Sequence, residues 1–165
     1  AYDRHPGLVA GLVLGLSRDT ADPQVMASLP EDVKDLIKND GRFSLETLAY
    51  RADTPTPVLD TLSRDREPSV RMGVAQNTST PPSVLETLSR DSNSYVRIVI
   101  AEDTTTPTSI LEDLAKDKEA LVRLRVARNI STPKSVLEIL AKDKDPHILQ
   151  HADSRIEGLR VTFGY

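Results

Sequence analysis

STPPSVLETLSRD (79–91), TTPTSILEDLAKD (105–117) and STPKSVLEILAKD (131–143) decide how this chain is built. Pro81, Pro107 and Pro133 are 26 residues apart, and the same step links Leu85, Leu111 and Leu137, then Leu88, Leu114 and Leu140. One step upstream, Pro55, Leu59, Leu62 and Asp65 fall in phase, ahead of Asp91, Asp117 and Asp143. A second pattern follows each Asp: SVRMGVAQN (69–77), YVRIVIAED (95–103) and LVRLRVARN (121–129). Agreement over so many columns at a fixed period marks a repeat protein.

Each unit predicts two short helices. Thr80, Thr106 and Thr132 are suited to capping the first, with the following proline at its first position, where a missing N–H costs nothing. Val84, Leu85 and Leu88 then recur on one helical face. The outer face carries acid-to-base pairs at i, i+4: Asp60–Arg64, Glu86–Arg90, Glu112–Lys116 and Glu138–Lys142. The second helix covers roughly 95–102 in the middle unit, and Asn77, Asp103 and Asn129 stand where a helix stop or left-handed turn is expected. No unit alternates with period two, so strands are not expected there.

The pattern decays towards both ends. Val33 and Leu36 hold the leucine columns and Leu48-Ala49 the Val-Ala column, but Ser44-Leu45 replaces Val-Arg. Residues 1–28 echo the unit only through Leu16-Ser17-Arg18-Asp19 and read as a degenerate N-terminal cap. Degenerate ends suit a stack, whose terminal units have a face without a neighbour. About six units over 29–155, within a single domain of residues 1–165, complete the expected organisation. In the tail, 156–165, Leu159, Val161, Phe163 and Tyr165 alternate with Arg160, Thr162 and Gly164 in a strand-like pattern.

T-P-x-x-V-L-x-x-L-A-x-D followed by V-R-x-x-V-A-x-N resembles the leucine-rich repeat variant family and, more distantly, HEAT repeats. The resemblance is good over about 50–145 and holds loosely over 29–155. It implies an all-α, right-handed α-solenoid of short repeats, of a kind found in bacteria and archaea. One form of the family carries an iron–sulfur cluster in a Cys-rich segment; this chain has no Cys, so that cofactor does not transfer and none is expected. In HEAT-like stacks, Asp and Arg six residues apart form a ladder between consecutive units. Asp65 and Arg71, Asp91 and Arg97, and Asp117 and Arg123 have that spacing, and a half-buried charge needs such a partner. An anion-binding line of the three arginines is the alternative.

In the same resemblance the second helix lines the concave surface. Its offsets of four and three define a stripe whose members differ between units: Ser69, Gly73, Gln76; Tyr95, Val99, Glu102; Leu121, Arg125, Arg128; His147, His151, Ser154. Packing fixes core columns, whereas a face that does not pack is free to differ. Tyr95, Val99 and Leu121 make this stripe the candidate surface for a protein or peptide partner.

Composition narrows the chemistry. Among 165 residues, 21 Lys+Arg against 25 Asp+Glu give a net charge of −4, and aromatics make up 4%. Nonspecific nucleic-acid affinity therefore lacks an electrostatic source, and base-stacking platforms are scarce. Arg123, Arg125, Arg128 and Lys134 are the local basic cluster on which DNA-backbone binding, the alternative function, would rest. Service as an enzyme's accessory subunit stays open beside it. His147 and His151 lie i, i+4 on a helix, but Ile148 stands where the HExxH glutamate belongs, so no metal is expected. G-x-G-x-x-G, G-x-x-x-x-G-K-[ST] and G-x-S-x-G are absent, and no enzyme is expected. Gly7, Gly11 and Gly15 flatten one helix face, for packing of a capping helix or for self-association. The longest apolar run, Gly7 to Leu16, is half a membrane span, which suggests a cytoplasmic protein.

Overall fold

The computed structural model describes residues 23–39 and 44–163. Gly7, Gly11 and Gly15, with the rest of the 1–22 segment, lie outside them. Among the described residues the chain is all-helical: eleven α-helices and no strand. They are α1 Pro23–Ser28, α2 Glu31–Asn39, α3 Leu45–Tyr50, α4 Thr56–Leu62, α5 Pro68–Gln76, α6 Pro82–Leu88, α7 Ser94–Glu102, α8 Thr108–Leu114, α9 Ala120–Arg128, α10 Lys134–Leu140 and α11 Pro146–Phe163. None is long and apolar enough to cross a membrane. The chain divides into two compact units, Ala1–Val84 and Leu85–Tyr165.

Ten of the eleven described helices span nine residues or fewer, too short to be stable alone, so packing must hold them. In the first unit α3 lies against α5, and Leu48, Ala49, Leu59, Leu62 and Val74 are at most 1% exposed. In the second, α9 packs on both α7 and α11, and α10 also packs on α11. Its core is Val96, Ile100, Leu111, Val122, Val126, Leu137 and Ile148, all buried. These are the columns that the 26-residue step predicts. Full burial of one such side chain is worth about 1.5–3 kcal/mol.

Three local features differ from expectation. First, the threonines are not caps. The N-cap position belongs to Pro55, Pro107 and Pro133, whose extended backbones feed the first helices of their units. Buried Thr80, Thr106 and Thr132 instead donate their hydroxyls back to the carbonyls of Val74, Ile100 and Val126, at 2.6, 2.8 and 2.6 Å. Thr54 does the same to Leu48, at 2.6 Å. A carbonyl from the last turn of each second helix is thereby satisfied.

Second, Asn77, Asp103 and Asn129 end their helices with φ of −76°, −69° and −65°, extended and not left-handed. Third, the tail is helical as far as Phe163, with Gly164 and Tyr165 outside the described residues. Residues 130–137 carry a Thr-Pro that ends one helix before the next begins, but 156–163 carry no proline, and α11 runs through Phe163. Ile148, Ala152, Ile156 and Leu159 share helical spacing, with the first three buried; Val161, a member of the supposed alternation, is 80% exposed.

Candidate interaction surface

The repeated polar columns are consumed inside the fold. Arg97 donates from Nε and Nη2 to the Asp117 carboxylate at 2.7 and 3.0 Å. Its Nη1 donates to the carbonyls of Asp91 and Ser92 at 2.7 and 3.3 Å. One step on, Arg123 repeats the arrangement with Asp143 at 2.6 and 3.1 Å and the carbonyls of Asp117 and Lys118 at 2.8 and 3.3 Å. In the first unit Arg71 Nη1 donates to the carbonyls of Asp65 and Arg66 at 2.6 and 2.9 Å. Each arginine thus meets the Asp six residues before it through that residue's carbonyl. Arg97 and Arg123 take their carboxylate from twenty residues ahead.

The aspartates also turn the chain. Oδ1 of Asp65, Asp91, Asp117 and Asp143 each accepts the N–H two residues on, at 2.8 Å, steering the chain into the second helix. The Arg97 and Asp117 side chains are 5% and 9% exposed, and Arg123 and Asp143 are 8% and 7%. Hydrogen bonding to Asp117 and Asp143 raises the pKa of Arg97 and Arg123 respectively. Burial pushes Asp117 up, but the bonds from Arg97 and from the Glu119 N–H outweigh it and leave its carboxyl below the ordinary value. The Arg123 hydrogen bond lowers Asp143 against the opposing effect of burial. Every nitrogen of Arg97 and Arg123 thus donates inward, four of the five N–H groups in each.

A second internal column went unrecognised in the sequence. Asn77 Nδ2 donates to the carbonyls of Ala49 and Arg51 at 2.8 and 2.6 Å. Asn129 Nδ2 reaches Ala101 and Asp103 in the same way, both at 2.8 Å. Their Oδ1 atoms accept from Ser79 and Ser131, both at 2.9 Å. Asp103 keeps only the accepting half, from Thr105. Arg155, 26 residues beyond Asn129, donates to the carbonyls of Ala127, Asn129 and Ile130, and burial lowers its pKa. The clue was the column itself: Asn77, Asn129 and Arg155 all carry donors, which a simple helix stop does not require.

The stripe differs from these columns. Within the second unit α9 packs on α7 and α11, and the 26-residue step groups the stripe's members as Tyr95, Leu121, His147; Val99, Arg125, His151; and Glu102, Arg128, Ser154. Tyr95 is 64% exposed and Leu121 44%; Glu102, Arg128, His147, His151 and Ser154 are exposed, while Val99 and Arg125 are half-buried. Arg125 Nη1 reaches Glu102 Oε1 at 2.8 Å across neighbouring helices. In the first unit the equivalent residues are taken up by packing: Gly73 is buried against α3, half-buried Ser69 donates to Glu46, and Gln76 alone is exposed.

Among the described residues no group of three His, Cys, Asp or Glu side chains is placed to hold a metal ion. Of the basic cluster, Arg123 is buried on Asp143, Arg125 pairs with Glu102, and Lys134 lies 4.0 Å from Glu138. Comparison of the chain with protein-family models, with characterised proteins and with solved structures finds no match.

Proposed function

We propose that this chain is a non-enzymatic scaffold of the leucine-rich repeat variant or HEAT-like kind. In this reading about six short two-helix repeats stack as a right-handed α-solenoid that binds a protein or peptide through the second helices of residues 95–154. The observation that carries the function is the exposure of Tyr95 and Leu121 on α7 and α9, two helices that pack on each other and whose buried columns are otherwise used up. A large aromatic and an aliphatic side chain held on a rigid frame supply contact area at little entropic cost. DNA-backbone binding is disfavoured because three of its four basic residues already face carboxylates.

The test is selection of a random-peptide display library on the immobilised chain, with Tyr95→Ser/Leu121→Ser in parallel. The wild type should enrich peptides that the double variant does not, with both proteins melting at the same temperature. Equal enrichment by both, or a salt-sensitive shift of duplex DNA without peptide enrichment, would overturn the proposal.

A further inference from the structure

Resting on that surface, we infer that its partner is a peptide segment with apolar anchor residues flanked by acidic ones. The argument is charge complementarity. The chain as a whole carries −4, yet the nine stripe positions of the second unit hold two arginines, Arg125 and Arg128, against one glutamate, Glu102. His147 and His151 extend the same face as exposed hydrogen-bond donors. Apolar groups and basic groups are also separated across the rows. Tyr95 and Leu121 begin the first row, and Arg125 and Arg128 stand one and two turns further along α9 from Leu121. A segment laid over α7, α9 and α11 places an apolar side chain on the Tyr95–Leu121 pair and a carboxylate beside Arg128.

Glu102 acts in this arrangement as an internal stand-in for the ligand. Its carboxylate stands 2.8 Å from Arg125 Nη1, while Arg125 Nε is buried without a hydrogen-bond partner. An incoming acidic side chain competes with Glu102 for the same group, and removing the Glu102 charge therefore favours the ligand. This sign distinguishes an acidic partner from a basic one, for which Glu102 would be the attractive residue.

Two short fluorescent peptides test the inference by anisotropy. Both contain Phe and Leu; one is flanked by Asp and Glu, the other by Lys, and a single-stranded oligonucleotide serves as a polyanion without apolar side chains. The acidic peptide should bind about tenfold or more tightly than the lysine-flanked one. Arg128→Glu should weaken it about tenfold, and Glu102→Gln should strengthen it a few-fold, on the order of a surface-charge effect. Equal or tighter binding of the lysine-flanked peptide, no binding of the acidic one, indifference to both charge variants, or an oligonucleotide that binds as tightly, overturns it. Tyr95→Ser/Leu121→Ser separates the two levels. If that variant loses the peptides while the charge variants change nothing, the surface stands and only the acidic preference falls. If it binds both like the wild type, the surface assignment fails as well.

Discussion

The two compact units run the same pattern on different materials. In the second, buried ion pairs join consecutive repeats: Arg97 with Asp117, Arg123 with Asp143. In the first, Arg71 bonds the Asp65 and Arg66 carbonyls, Leu45 holds the arginine position one repeat upstream, buried at 4% exposure, and α5 comes so near α3 that Gly73 has no room for a side chain. A Cβ there would stand 2.7 Å from Ala49 Cβ and 3.2 Å from the Tyr50 ring. Buried charge fastens the repeats of α7 and α9, and close approach fastens α5 to α3. The Gly73 position that packs in the first unit is Val99, Arg125 and His151 in the second, where side chains project from the stripe.

The comparison breaks most readily at the ion pairs. Arg123→Ala leaves Asp143 buried without its cation and should cost about 3–5 kcal/mol. Hydrogen exchange should show protection lost first between α9 and α11, with α3 and α5 retaining theirs. Acid makes the same point without mutation. Both carboxyls are held below their ordinary value, so pairing contributes fully above about pH 4 and is lost as pH falls through the lowered folded-state values. Exchange at falling pH should therefore open the second unit's pairs, and Arg123→Ala should flatten that dependence.

A smaller effect belongs to the first unit. Gly73→Ala should cost about 1–3 kcal/mol through overpacking, and Ala49→Gly should recover part of it in a double-mutant cycle read by thermal melting. Additive losses would mean that the helices do not meet there. Asn77→Ala and Asn129→Ala each strand two carbonyls and should cost about 1–3 kcal/mol apiece. Because the two units are built alike at this column, the losses should agree within the error of a denaturant titration. Smallest of all, Tyr95→Ser and Leu121→Ser remove exposed groups and should shift stability by about 0.5 kcal/mol or less.

Much of this was legible in the residues. The 26-residue step predicts helix pairs and nearly every buried leucine and valine, because packing against a neighbour imposes one size and shape on each column. Polar partners were less legible. An arginine midway through a repeat has one Asp six residues behind and another twenty ahead, and spacing alone does not say which supplies the carboxylate and which the carbonyl. Thr106 is as good a cap on paper as it is a buried hydroxyl donor; the proline after it took the cap, and a carbonyl of α7 took the hydroxyl. The tail misled because Leu159, Val161 and Phe163 fit a period of two while Ile148, Ala152, Ile156 and Leu159 fit a helix. The missing proline settles the choice. The stripe is read from its variation, but the reach of Arg125 to Glu102 across two helices depends on side-chain geometry, which no column shows.

Amide chemical-shift mapping of the chain, titrated with a peptide selected by the wild type, tests the central claim most directly. The largest shifts should fall on Tyr95, Leu121, Arg128 and His151, with the exposed face of α8 and α10 unmoved. Shifts centred on Glu112, Lys116, Glu138 and Lys142 instead would put the partner on the opposite helices and contradict the claim.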